Sequence, residues 1–231
     1  MIAGRESAAK APLTEAVLAA LTHTAGKCSP GVVAVPCGYH LLRQGSRLNE
    51  VFIVRTGRLR VVMVSRSGWE VACSECRPGD CFGALGPSPG RSVAASVVAM
   101  ENSVVWRMKA CEFHTLATLS PAVAMAALSQ MAERLELAFQ QCFETTALSV
   151  RARIANSLLR SARLEDGRYV IDPVPTHADL ALRIGSKREV VSRELARMHE
   201  LGIIARCRPR IIVTQPSRLA ALTEFPEGMI P

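Results

Sequence analysis

The sequence predicts an α+β fold in which strands fill the first half of the chain and helices dominate the second. Between Tyr39 and Met108, short apolar runs alternate with Gly and Pro turns, which is the pattern of a small β-barrel or β-roll. From Ser120 to Arg163, apolar residues recur every three or four positions, as in helices. At 231 residues and 49% hydrophobic content, the chain can form one large domain or two of ordinary size.

The elements of the first half follow from local patterns. Leu13–His23 has the spacing of a short amphipathic helix, and Cys28–Gly38 is rich in loop residues. Turn residues separate several apolar runs, each of which we predict to be a strand. These runs are Val51–Val54, Leu59–Val64, Val71–Cys73 and Val97–Met108.

The chain begins with polar and charged residues rather than a signal peptide, and no apolar run is long enough to span a bilayer. We therefore expect a soluble cytoplasmic protein without membrane contact. The net charge is +8, and its distribution is uneven. Residues 151–231 hold 14 basic and nine acidic residues, against 14 and 11 in residues 1–150. The smaller segment thus has the larger positive excess, which favours contact with a polyanion such as DNA.

The segment Thr176–Gly202 is the most informative part of the chain. It reads THADLALRIGSKREVVSRELARMHELG and holds two helical patterns joined by a turn at Gly185. Capping boxes are predicted at Thr176 with Asp179 and at Ser186 with Glu189. In such a box the hydroxyl accepts a hydrogen bond from a free backbone N–H, and the acid reaches back to the cap.

The second of these helices is amphipathic. Val191, Leu195 and Met198 form an apolar stripe, and polar side chains occupy the other side. In a DNA major groove, Arg donates hydrogen bonds to guanine and Glu accepts one from cytosine. A Ser hydroxyl can donate or accept, and so can bind either kind of base edge. A solvated helical hairpin is the alternative, but the turn and the basic strand pair that follows favour a DNA-reading helix-turn-helix. The candidate DNA contacts on this helix are Lys187, Arg188, Glu189, Ser192, Arg193 and Arg197.

A predicted two-stranded wing follows the helices. Its strands are Ile203–Arg206 and Arg210–Val213, with Arg208-Pro209 at the tip. Arg206, Arg208 and Arg210 are candidates for contact with DNA phosphates, because a guanidinium on a wing can reach the backbone beside the groove.

These residues resemble the DNA-binding domain of the cyclic-AMP receptor/fumarate-nitrate regulator (CRP/FNR) family. Arg188–Arg193 matches both the R-E-x-x-x-R and the E-x-x-S-R forms of that family's recognition-helix signature. The likeness extends to the first half, where four turn motifs follow the order seen in cyclic-nucleotide-binding β-rolls. They are Gly38-x-x-Leu41-x-x-x-Gly45, Arg55-Thr56-Gly57, Pro78-Gly79-Asp80 and Phe82-Gly83.

The resemblance implies three parts. They are an N-terminal helix with a cyclic-nucleotide-binding-like β-roll over residues 1–119, a long dimerisation helix over 120–148, and a C-terminal winged helix-turn-helix over 149–231. It also implies double-stranded DNA and RNA polymerase as partners. A second helix, Val150–Ser161, is predicted to lead into the DNA-binding domain.

A heptad seam is predicted in the long helix. Leu128, Met131, Leu135, Ala138 and Cys142 alternate spacings of three and four. The seam could pack on the β-roll of its own chain or on a partner helix. The polar residues around it and the family's long dimer helix favour a homodimer, whose two-fold symmetry implies a near-palindromic operator.

The sensor region departs from the cyclic-AMP-binding members. By the resemblance, those members place an acid after the Phe-Gly turn, an arginine at the cyclic phosphate and polar side chains near adenine. Here Ala84 follows the turn, Val93 takes the arginine position, and Ala138 and Phe139 fall at the adenine positions. We expect a sensor that does not respond to cyclic AMP. The candidate effector contacts are Gly83, Arg91 and Ser92, although Arg91-Ser92 would need a shifted loop.

Eight cysteines leave a second interpretation open. Cys73, Cys76 and Cys81 lie close in sequence and could hold a metal or an iron–sulfur cluster, or act as redox sensors. The alternative is that they pack in the core as small apolar residues. Our main expectation is no cofactor and no metal. No catalytic triad, carboxylate pair or phosphate loop stands out, so we expect no enzyme activity, with an enzyme carrying a DNA-binding appendage as the remote alternative.

Overall fold

The computed structural model describes residues 12–23, 29–86, 92–207 and 209–223. The chain divides into two compact units, one of residues 7–138 and one formed mainly by residues 139–231. The boundary falls inside a single helix, Pro121–Ala147. Within the described ranges, no single helix is long and apolar enough to cross a membrane; helices Ala110–Leu119 and Pro121–Ala147 reach that measure only as a pair, across a 115° bend.

The first unit contains two four-stranded antiparallel sheets, as the strand-rich sequence predicts. The first sheet has the order β1-β8-β3-β6 and the second β2-β7-β4-β5. Helices α1 (Pro12–His23), α2 (Ala110–Leu119) and the start of α3 (Pro121–Ala147) complete the unit. The strands are β1 Gly31–Val35, β2 His40–Leu42, β3 Glu50–Thr56, β4 Leu59–Val64, β5 Glu70–Cys76, β6 Cys81–Gly83, β7 Ser96–Ala99 and β8 Ser103–Lys109.

Strand β3 is the centre of this unit because both of its faces are covered. Phe52 and Val54 pack in a cluster to which both sheets contribute. Val51 and Ile53 point the other way, into a cluster with residues of α1, α2 and α3. Side chains of a strand alternate between faces, so a strand covered on both sides is apolar at successive positions, as it is here.

The second unit is a three-helix core with a small antiparallel sheet. Its strand order is β11-β12-β10-β9, and its core joins α4, α5 and α6 to the sheet through residues such as Ile154, Leu180, Leu195 and Ile211. The elements are α4 Val150–Ser161, β9 Arg163–Glu165, β10 Arg168–Ile171, α5 His177–Ile184, α6 Arg188–Glu200, β11 Ile204–Cys207, β12 Arg210–Val213 and α7 Pro216–Ala221.

The structure confirms Leu59–Val64 and Val150–Ser161 as predicted and corrects the run Val97–Met108. That run is two strands, β7 and β8, which belong to different sheets. The chain turns at Glu101 and Asn102, whose oxygens accept hydrogen bonds from Arg58 at 3.1 Å and from the Cys37 N–H at 3.0 Å. These polar contacts stabilise the crossing between sheets.

Candidate nucleic-acid interface and sensor cavity

The first helix of the helix-turn-helix begins and ends as predicted. The Thr176 hydroxyl oxygen accepts from the Asp179 N–H at 3.0 Å and donates to the Asp179 carboxylate at 2.7 Å. At the other end, Gly185 adopts the left-handed conformation (φ 61°, ψ 50°) that glycine reaches without steric cost. The capping residue and the glycine thus fix where α5 begins and where the chain turns.

The second predicted capping box is wrong. Helix α6 begins at Arg188 with Lys187 as its N-cap, and no side chain caps it. Ser186 instead donates its backbone N–H to the Ala181 carbonyl at 2.9 Å. The residue after a left-handed glycine commonly closes the last turn of the preceding helix, so Ser186 ends α5 rather than starting α6.

The amphipathic character of α6 is confirmed. Val191, Leu195 and Met198 are at most 2% exposed and belong to the core of the second unit. The opposite side carries an exposed polar row, which we call the reading face: Lys187, Arg188, Glu189, Arg193 and Arg197, with the half-buried Ser192 beside it. Because the apolar stripe fixes the helix, the reading face is presented outward as a fixed array of donors and acceptors.

Helix α4 fixes the position of α5 and α6 through two arginines. Arg153 donates from Nη1 to the Ile184 carbonyl at 2.7 Å and so caps the C-terminus of α5. Arg151 Nε donates to Glu194 of α6 at 2.8 Å. These contacts hold α5 and α6 on α4 and so orient the reading face. Neither arginine is predicted from the sequence, because both contacts depend on residues that are distant along the chain.

The wing is present, and its three arginines differ in their surroundings. Arg206 is exposed on β11. Arg208 lies outside the described residues. Arg210 is engaged by two carboxylates, with Nε 2.8 Å from Asp172 and Nη1 3.3 Å from Glu165. These ion pairs join the wing to the β9–β10 hairpin, and the phosphate contact of Arg210 stays a prediction.

His177 belongs to this interface, although the sequence pattern does not predict it. Its Nδ1 lies 2.7 Å from the Ser192 hydroxyl, which joins the start of α5 to the reading face. Burial, together with the positive charges of Arg206 and Arg188, lowers the pKa of His177 below its usual value. The only sequence signal was its position directly after the Thr176 cap.

This pKa shift gives a prediction about stability. The folded state disfavours the imidazolium, so the stability contributed by neutral His177 is present above about pH 6.5 and is lost as the pH falls through the lowered folded pKa. Glutamine keeps a hydrogen-bonding partner for Ser192 but does not titrate. The free energy of unfolding should therefore fall less steeply on acidification in His177→Gln than in wild type, measured by denaturant titration. Parallel curves would contradict the assignment.

The first unit contains a cavity of about 400 Å³ inside the β-roll. Of the predicted effector contacts, Gly83 and Ser92 line it, as do Ala84 and Val93. Gly83 has φ 114°, and a Cβ there would collide with the Glu50 carbonyl oxygen, so glycine is required at this wall. Arg91 lies outside the described residues.

The lining differs from the prediction in two respects. Cys73, Cys76 and Cys81 are not among the described lining residues, and Ala138 and Phe139 are exposed on α3. Arg134 of α3 does line the cavity. The sequence does not predict this contact, because which face of α3 meets the roll is decided by packing.

Of the three cysteines Cys73, Cys76 and Cys81, two have the surroundings expected for core packing. Cys76 and Cys81 are buried in two separate apolar clusters, and Cys73 is half-buried. Burial raises the pKa of Cys81 to about 11, so its thiol stays protonated at neutral pH. Among the described residues, which omit Cys28, no three His, Cys, Asp or Glu side chains form a group that could hold a metal.

Helix α3 has two different faces. Gln130 docks one face on the roll, because its amide donates to the Gly79 carbonyl at 2.6 Å and accepts from the Cys81 N–H at 3.0 Å. The other predicted seam residues lie on a different, exposed face of α3. Met131 is the exception, because it is half-buried against the core of its own unit. Exposed apolar side chains form what we call the α3 stripe: Met125, Leu128, Leu135, Phe139, Cys142 and Phe143.

The fold and this interface define a class of DNA-binding protein. It has a winged helix-turn-helix domain and a β-roll domain of the kind that binds nucleotides. Two family models agree: a cyclic nucleotide-binding domain matches residues 32–118, and a Crp-like helix-turn-helix domain matches residues 152–222. The chain belongs to the CRP/FNR family of DNA-binding transcription regulators.

Individual relatives agree with this assignment. The cAMP-activated global transcriptional regulator CRP of Salmonella typhimurium is 27% identical over 177 residues, which cover 75% of this chain and 84% of the relative. A CooA mutant from Carboxydothermus hydrogenoformans has the same fold, with a TM-score of 0.73, 19% identity and coverage of 84% and 88%. So does the c-di-GMP responsive regulator CLP of Xanthomonas campestris, with a TM-score of 0.73, 15% identity and coverage of 88% and 98%.

Proposed function

We propose that this protein acts in the cytoplasm as a homodimer that binds a near-palindromic DNA site and regulates transcription in response to an effector other than cyclic AMP. The observation that carries the proposal is the reading face of α6, held outward by a fully buried stripe. RNA polymerase is its proposed protein partner, by analogy with the family. No catalytic role is proposed.

The reading face and the wing have different roles in DNA binding: some residues contact bases and others contact phosphates. Glu189 and Arg193 read base edges, with half-sites that contain TGA by family analogy, and Arg188 and Ser192 adjust the preference. Lys187, Arg197, Arg206 and Arg208 contact phosphates, which positions the helix without reading sequence. Two such interfaces related by a two-fold axis would meet half-sites about one DNA turn apart.

The α3 stripe supports the dimer. Leu128 and Leu135 are 61% and 56% exposed in the single chain, and Phe139 is 66% exposed. Contiguous apolar surface of this kind on one helix is typical of a protein–protein contact. A second copy of α3 is the proposed occupant, because the spacing of three and four along the stripe suits a parallel helix pair.

A salt titration tests the DNA-binding proposal. Specific duplex binding should weaken steeply with salt, and Arg206→Ala should flatten the slope of log affinity against log salt by roughly one unit, because one phosphate contact is lost. Arg66→Ala removes the same charge from an exposed turn of the other unit and should leave the slope unchanged. An unaltered slope for Arg206→Ala would place the wing away from the DNA backbone, and equal affinity for operator and random duplex would contradict the proposed function itself.

We expect the sensor cavity not to bind cyclic AMP. Ala84 offers no carboxylate to the ribose, and Val93 offers no guanidinium to the phosphate. A ligand at about a hundred times its dissociation constant stabilises a fold by about 2.7 kcal/mol. Cyclic AMP at physiological concentration should therefore leave the melting temperature unchanged. A clear rise would contradict this and would indicate a phosphate contact at Arg91-Ser92 or at Arg134, which also lines the cavity.

A further inference from the structure

The cavity of the β-roll has a chemically simple lining. Ten of its fifteen described lining residues carry apolar side chains, among them Leu42, Val61, Phe82 and Leu85. Of the described lining residues, Arg134 alone is charged, and Ser74 and Ser92 supply the hydroxyls. A volume of about 400 Å³ lies in the range of pockets that enclose a small organic ligand.

Arg134 is held at this cavity by the docking of α3. It lies one helical turn after Gln130, whose two hydrogen bonds to Gly79 and Cys81 fix that face of the helix on the roll. Its guanidinium is half-buried, and Nη2 lies 4.0 Å from the Cys76 sulfur, which is a weak acceptor. The N–H donors of the Arg134 guanidinium are therefore available to a ligand in the cavity.

The chemistry of the lining selects a class of ligand. The cationic, planar guanidinium of arginine pairs with a carboxylate through two parallel hydrogen bonds, and a phosphate can take the same geometry. An apolar lining cannot satisfy several polar groups, and an unpaired buried polar group opposes binding. With no acid among the described lining residues, a cationic ligand would meet only repulsion from Arg134.

We propose that the sensor cavity binds a small apolar carboxylate, with its carboxylate on Arg134 and its hydrocarbon or aromatic body against Leu42, Val61, Phe82 and Leu85. This inference rests on the proposed function, because it names the effector class of the same regulator. It differs from a cyclic-nucleotide site in requiring no contact to a sugar or a base.

The test uses the full-length protein and a panel of straight-chain and aryl carboxylates, represented by octanoate and phenylacetate, each beside its neutral amide. Binding is measured by calorimetry. At least one carboxylate should bind, and its amide should bind on the order of ten-fold or more weakly, since charge-assisted hydrogen bonds are lost. Arg134→Met should remove this preference and leave the amide's affinity unchanged. Arg134→Lys should keep part of the preference, because it retains the charge without the planar fork.

Arg163→Met is the matched control, because it removes an exposed arginine from the other unit and should change neither affinity. Equal binding of acid and amide by wild type, or binding by no carboxylate of the panel, would overturn the inference. So would an unchanged preference in Arg134→Met. Specific DNA binding is measured on the same preparations: if it persists while carboxylates fail to bind, this inference falls and the proposed function stands, whereas its loss in wild type contradicts the proposed function.

Discussion

Replacing Leu135 with glutamate should convert the protein into a monomer that no longer binds its operator. Leu135 lies in the middle of the α3 stripe and is 56% exposed in the single chain. In the proposed dimer, the two Leu135 side chains would meet near the two-fold axis. Two glutamates there would face each other without a partner, and an uncompensated buried charge costs about 3–5 kcal/mol.

Leu137→Glu is the matched control for this experiment. Leu137 is also exposed, at 58%, but lies two positions along α3 and therefore on the opposite side of the helix from Leu135. The same chemical change there should leave the dimer intact. Sedimentation measures the oligomeric state, and a duplex-binding assay measures operator affinity. If Leu135→Glu stayed dimeric and bound its operator, the stripe would not be the interface.

Arg193→Ala should lower specific operator binding by about 1–3 kcal/mol while leaving non-specific binding nearly intact. Arg193 is exposed at the centre of the reading face, and the core contacts of Val191 and Leu195 fix the helix on either side of it. An arginine so placed can donate two hydrogen bonds to a guanine edge. A base contact specifies sequence, so its removal reduces the difference between operator and random duplex.

Arg206→Ala provides the contrast, because a phosphate contact should weaken both kinds of duplex nearly equally. Affinities for an operator-containing duplex and for a random duplex of equal length are measured at one fixed salt concentration. If Arg193→Ala retained the full ratio of the two affinities, base reading would belong to another residue of the reading face.

Elements that depend on neighbours along the chain could be predicted from the sequence. The Thr176 cap, the left-handed Gly185 and the buried stripe of Val191, Leu195 and Met198 are all as predicted. Each follows from interactions within a few residues: a hydroxyl and a free N–H, a backbone conformation that favours glycine, and the period of the helix. For the same reason the DNA-binding class could be predicted from one segment.

Strand pairing depends on residues that lie far apart in the sequence. Strand β1 was missed in a stretch that looked like loop, because its partner β8 lies some seventy positions further along the chain, where Gly31 pairs with Arg107. The sequence predicts one strand over Val97–Met108, because its apolar content does not show where the chain crosses between sheets. A strand's stability comes from cross-strand neighbours, and those are set by the fold rather than by the strand's own residues.

Side-chain partners were likewise decided by the fold. Met131 was placed in the seam by its spacing, yet α3 docks through Gln130 and turns Met131 toward its own core. The charge of Arg210 predicts a phosphate contact, but only the fold shows that Asp172 and Glu165 pair with it. Arg134 became a candidate effector contact only when its face of α3 met the cavity. Periodicity defines the faces of a helix, but what each face meets depends on residues distant in sequence, and that packing decides which charges are free to act.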